Sequence, residues 1–216
     1  MALYGLVQYS TGVILQFYYT YPSDLSFTYW DVCLNFLFFI FVGYTPTADS
    51  LSDKKPQARL SGCTSVCKVL MMYVLQLIGQ ILMIIFVSTV FAEEIDYFNT
   101  GTAAGNYEKY KKNGDEFDYN TPEASILFLF VNFIYIATVL ASCIDKPWRK
   151  PFYTNFPFMV VLLIVFPYSI LITVVPSTRV AAFKISSMSS PSLNAFILAM
   201  GLTFGILIYG IQKLVM

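Results

Sequence analysis

The chain has 216 residues, of which 57% are hydrophobic, 18% aromatic and only 12% charged, and its formal net charge is zero. A soluble domain carries roughly 25% charged residues, so this composition, with a mean hydropathy of +0.64, excludes an ordinary soluble enzyme and reads as an all-α polytopic membrane protein. The balanced charge offers no basic footprint for nucleic acid. The absence of histidine removes the commonest general base and metal ligand. No catalytic constellation and no metal site are expected. The four cysteines (Cys33, Cys63, Cys67 and Cys143) lack the second pair or histidines that a zinc site needs.

Hydropathy predicts six membrane spans, at about 2–20, 24–44, 66–92, 124–144, 156–175 and 193–215. The chain opens inside the first of these, with no basic leader and no small-residue cleavage site, which suggests the tail of something longer. Tyr4, Gln8 and Thr11 form a polar stripe at helical spacing on this span. The connection YPSD then starts the next helix, so spans one and two form a tight hairpin.

Span two, DLSFTYWDVCLNFLFFIFVGY, is the stretch around which the chain is organised, because Asp31 stands in it as one carboxylate in an apolar and aromatic run. A charge at the bilayer centre costs about 2.5–3.5 kcal/mol on insertion scales and is normally retained for function, facing the bundle interior or a water-filled cavity. Helical spacing groups Phe27, Asp31, Asn35 and Phe38 on one face. A carboxylate, an amide and aromatic rings on one stripe suit an organic cation, since ring faces attract ammonium groups. The competing reading is a carboxyl that bonds a neighbouring helix for packing alone.

Further along, Gln76 and Gln80 lie one turn apart on span three, a spacing expected to bond across helices. Residues 93–123 form the largest extramembrane segment. Its eight acids against three lysines leave it net −5, and Gly101, Gly105 and Gly114 are expected flexible points. It reads as a solvated loop, or more sharply as a negative vestibule that concentrates cations. Asn132 is the clearest polar residue inside span four, Pro167 interrupts span five, and Gly201 and Gly205 form a G-x-x-x-G in span six. Basic residues cluster in the connections after spans two (Lys54, Lys55, Arg59) and four. The positive-inside rule therefore puts both connections and both termini on the cytoplasmic side, and the acidic segment on the lumenal or outer side.

The stretches MALYGLVQYS, DLSFTYWDVCLNF, VGYTPTADSLSDKKPQARL, EASILFLFVNFIYI and KPWRKPFYTN carry a resemblance to type-five P-type ATPases. The match is nearer to subgroup B, the polyamine-transporting branch. It covers nearly the whole chain, loosely in the acidic segment and after Pro176. The resemblance implies a C-terminal transport sector, core helices five to ten of ten. In that family the sixth helix bears an acidic residue that meets the polyamine, and this position matches Asp31. The aromatic residue four positions earlier matches Phe27, and a Tyr and Gln one turn apart in the fifth helix match Tyr4 and Gln8. Asn35 has no family counterpart and rests on helical spacing. The family's phosphorylation, dephosphorylation and hinge motifs are not in the sequence, and neither is the Pro-rich break of its fourth helix. All would precede Met1. By this reading the chain alone binds no cofactor and hydrolyses no ATP. ATP and Mg belong to the parent pump, and the partners are the bilayer, an organic cation such as a polyamine, and the pump's remaining domains. Late endosomal, lysosomal or vacuolar membranes are implied. Two alternatives stay open: a stand-alone six-span channel or carrier, and a structural membrane protein without ATPase activity.

Overall fold

The computed structural model describes residues 2–49, 62–91, 103–114, 116–143, 148–186 and 190–215. Lys54, Lys55, Arg59 and the first part of the acidic segment, residues 93–102, lie outside the described residues. Within them the chain is helical, with eight helices and no strand. They are α1 (Ala2–Phe17), α2 (Asp24–Val42), α3 (Cys63–Val90) and α4 (Ala103–Lys112). There follow α5 (Pro122–Ser142), α6 (Phe156–Val174), α7 (Pro176–Phe183) and α8 (Pro191–Val215).

Five of these helices, α2, α3, α5, α6 and α8, are long and apolar enough to cross a membrane. The chain is thus a multi-pass integral membrane protein. The first expected span is the exception to the six. Helix α1 has 16 residues and stops where Tyr19 adopts a left-handed backbone at φ 52°, a conformation unusual for a bulky residue. Its ring is clamped between Tyr107 and Tyr110, at centroid distances of 4.8 and 5.6 Å. The turn is tied down from the extramembrane side, where Thr20 Oγ1 donates to the Asp118 carbonyl at 2.6 Å and Asn106 Nδ2 donates to the Tyr18 carbonyl at 2.9 Å.

Helix α5 is the axle of the bundle. Burial claims 83% of its spanning window, against 28–33% in the other four spans. A helix apolar on every face belongs inside; Phe128, Phe130, Ile134 and Tyr135 look in different directions and are all buried. Helix α8 docks on it through small residues. A Cβ built on Gly201 would stand 2.6 Å from Phe133, whereas one on Gly205 would meet Ala137 at an ordinary 3.4 Å. Gly79 of α3 accepts Phe204 of α8 in the same way, at 2.8 Å.

Two expectations for the acidic segment change. Gly105 is not a flexible point but lies inside α4, whose last turn carries Lys109, Lys111 and Lys112, a placement that suits the negative end of the helix dipole. Glu123, counted with the loop, sits in the first turn of α5 and is 1% exposed. A carboxylate there complements the positive helix N-terminus. Arg179, in the connection between spans five and six, is likewise packed inside: its Nη1 donates to Asn194 Oδ1 at 3.0 Å and to the Thr173 carbonyl at 3.3 Å. Burial pushes its guanidinium down to about 10, so it stays charged at neutral pH.

Candidate functional site

Residues Tyr29–Phe36 in the middle of α2 wind as a π-helix, one that no proline or glycine in YWDVCLNF announces. π-Helical turns are rare and recur at functional sites. This one holds Asp31 and Asn35. The buried face of α2 runs through Trp30, Leu34 and Phe38, and Asp31 lies one position off it, exposed on the flank turned toward α1.

The hairpin brings the polar stripe of α1 to that carboxylate. Tyr4 Oη donates to Asp31 Oδ1, and Gln8 Nε2 donates to the same oxygen at 3.5 Å. Donors one turn apart on α1 converge on one acceptor across the helix pair. Tyr4 is fixed from behind by Tyr135 of α5, at a ring distance of 4.9 Å. Tyr135 stands edge-on to Trp30 at 5.8 Å, and Trp30 Nε1 donates to Asn132 Oδ1 at 2.7 Å. The carboxylate therefore sits on a chain of interlocked groups anchored in the central helix, an arrangement that holds it in place.

The other expected members are placed apart from this pair. Phe27 lies one turn before Asp31 and packs against Tyr21 at 5.2 Å and edge-on to Trp30 at 5.6 Å. Asn35 and Phe38 line a cavity that Tyr4 and Tyr135 also border. Phe38 is 1% exposed and packs on Phe158, so it belongs to the core face and not to the Asp31 face. Thr11 leaves the α1 stripe altogether. With Ser10 it donates to Gln80 Oε1 of α3, both at 3.3 Å. Gln76 Nε2 donates to Thr138 Oγ1 of α5 at 2.6 Å. Both glutamines thus join helices, as their spacing suggested. Sequence reasoning missed Trp30 and Tyr135, whose roles depend on which faces meet around α5.

A second aromatic run leads away from Phe27. Tyr21 also meets Phe117 at 6.4 Å, and Phe117 meets Tyr110 of α4 at 5.1 Å. Rings therefore extend from the extramembrane segment to within one turn of Asp31. Among the described residues no group of three or more acids and cysteines is placed to hold a metal ion, and the donor set around Asp31 is suited to an organic cation through one carboxylate, a phenol and an amide.

A bundle of apolar helices with one clamped carboxylate on its flank defines a multi-pass membrane protein. No family model matches the chain. Two curated proteins are similar to it. The polyamine-transporting ATPase 13A3 of Mus musculus is 24% identical over 185 residues, 83% of this chain and 15% of that protein. The vacuolar cation-transporting ATPase YPK9 of Saccharomyces cerevisiae is 24% identical over 160 residues, 74% of this chain and 10% of that protein. The chain is thus similar to type-five P-type ATPases over most of its own length, as its motifs indicated, and spans 15% or less of these relatives.

Proposed function

We propose that the chain is a C-terminal transport sector of an ATP-driven cation pump, and that Asp31 receives an ammonium group of an organic cation, a polyamine being the best fit. The observation that carries this reading is the convergence of Tyr4 and Gln8, 27 and 23 residues away in sequence, on one oxygen of Asp31. Tyr4 and Gln8 orient the carboxylate and keep their bonds to it as the cation arrives at its other oxygen. Phe27 offers its ring face to the alkylammonium chain, and the rings of Tyr21, Phe117 and Tyr110 line an approach from the acidic segment. Asn35 lines the cavity that Tyr4 also borders and serves the cation once it has passed Asp31.

In this reading the sixth crossing is made by α1, completed by the turn that follows it. Both termini and the basic connections lie in the cytosol, and the acidic segment faces the lumen of an endosomal, lysosomal or vacuolar compartment. ATP and Mg act in phosphorylation, nucleotide-binding and actuator domains of the longer protein. Those domains and the upstream helices cover the exposed flank of α1 and α2, because a carboxylate left facing lipid is expensive. The relatives' printed names, a polyamine-transporting and a cation-transporting ATPase, support the cargo class.

The test is Asp31→Asn in a full-length pump carrying this segment. Loss of polyamine-stimulated ATP hydrolysis with intact folding is expected. Unchanged stimulation, with only a lowered thermal stability, would instead identify Asp31 as a helix-pairing residue, and flux through the purified 216-residue chain without ATP would favour a stand-alone channel or carrier.

A further inference from the structure

Helix α3 is longer than a bilayer requires. Its 28 residues rise about 42 Å at roughly 1.5 Å per residue, against a hydrocarbon core of roughly 30 Å. The apolar span begins at Ser65, so Cys63 stands just before it and Cys67 in its first turn. Both are exposed free thiols, and their sulfurs lie 3.8 Å apart on one face of the helix. Continued at helical spacing, that face runs through Leu70, Val74, Ile78, Ile81 and Ile85, all of them exposed. The opposite face carries Met72, Gln76, Gln80 and Met83 into the bundle. The two thiols thus head the ridge of α3 that faces lipid.

The other two cysteines are placed differently. Cys143 caps α5 and is buried, and Cys33 is half-buried in the π-helical middle of α2. An exposed thiol at the membrane surface is a nucleophile within reach of a long-chain acyl-CoA. We propose that Cys63 and Cys67 are S-acylated, each with a fatty acyl chain that lies along Leu70, Val74 and Ile78. The cysteine sulfur attacks the acyl carbonyl carbon as a thiolate. The new carbon–sulfur bond forms as the bond to coenzyme A breaks, and coenzyme A leaves as a thiol with the proton that the cysteine gave up. No oxidant or reductant takes part. Two chains on adjacent turns anchor stably where one anchors only marginally, so the start of an overlong helix is held at the membrane surface. The proposal rests on the reading above that the connection after span two lies in the cytosol, where acyl-CoA is available.

The test uses the 216-residue chain, epitope-tagged and expressed in eukaryotic cells. Membranes are reduced, blocked at free thiols and treated with neutral hydroxylamine, which cleaves thioesters. A maleimide polymer then adds one gel step per released thiol. A ladder reaching two steps is expected for the unaltered chain and for Cys33→Ala combined with Cys143→Ala. One step is expected for Cys63→Ser or Cys67→Ser alone, and none for the two together. Steps that survive the double serine substitution, or no hydroxylamine-dependent step in the membrane-integrated chain, would overturn the proposal. So would blocked thiols that reductant alone sets free, since those would be a disulfide. A membrane-impermeant maleimide on sealed vesicles, with Cys33 and Cys143 replaced by alanine, tells this failure from that of the sidedness. Labelling from the cytosolic face without any thioester refutes the acylation and leaves the proposed function standing. Labelling from the lumenal face alone refutes the sidedness and the acylation together.

Discussion

Two buried side-chain bonds of similar appearance differ in what their loss would do. Trp30 Nε1 donates to Asn132 Oδ1, both residues are fully buried, and the indole has no second donor to redirect. Asn132→Leu strands that N–H, which costs about 1–3 kcal/mol, and a clear fall in thermal stability is expected. Ser10 and Thr11 donate to Gln80, but each hydroxyl is also placed on the Val7 carbonyl, at 2.9 and 2.8 Å. Gln80→Leu leaves both hydroxyls a partner, so its cost should stay near the ~0.6 kcal/mol average for hydrogen bonds between membrane helices. Melting curves of the two variants in the same detergent check the contrast. At Asp31 the expected loss concerns binding. Tyr4→Phe removes one hydroxyl from a charged acceptor, worth about 1.5–3 kcal/mol. In the full-length pump this should raise the polyamine concentration for half-stimulation by about tenfold or more, with smaller effects on the maximal rate. Asp31 was legible in the sequence because a lone carboxylate in an apolar run is conspicuous. Its partners Tyr4 and Gln8 were legible as a stripe at helical spacing. Trp30 and Tyr135 were not, since an aromatic residue in a chain with this many rings carries no mark of which neighbour it will meet.

Between elements, contact distance decides what is tolerated. The G-x-x-x-G of α8 contains two glycines with different duties. A methyl group at Gly201 would collide with the Phe133 ring of the central helix, and one at Gly205 would rest at van der Waals distance from Ala137. Gly201→Ala should therefore destabilise by about 1–3 kcal/mol through overpacking, whereas Gly205→Ala should be close to neutral. Parallel thermal denaturation of the two variants checks this. The element limits were read to within a few residues by hydropathy, because a bilayer demands a fixed length of apolar helix. The π-helical middle of α2 was hidden. Its sequence has no helix breaker, and the wider turn arises in the folded bundle, where Trp30 and Leu34 face inward while Asp31 keeps to the α1 side. That geometry moved Phe38 from the expected cation face to the core. Helix α4 was hidden for the opposite reason: glycines and charges suggested a loop, while Tyr107 and Tyr110 closing on Tyr19 hold it as a helix.

At the scale of the molecule, the number of crossings sets the sidedness of the chain. Helix α1 is short for a span, and whether it crosses decides where the termini lie. Six crossings put the two ends on the same side and five put them on opposite sides. Protease protection of epitope tags at each end of the chain in sealed vesicles reads this directly, and the proposed arrangement expects both tags on the cytosolic face. The central claim is narrower: the carboxylate clamped by Tyr4 and Gln8 is the group that meets the cation. Its most direct test is equilibrium binding of radiolabelled spermine to a purified full-length pump carrying this segment, comparing Asp31→Asn with Asp24→Asn, a carboxylate of the same helix exposed at its first turn. The account expects spermine binding to be lost with Asp31→Asn and retained with Asp24→Asn. Equal binding by the two variants would contradict it.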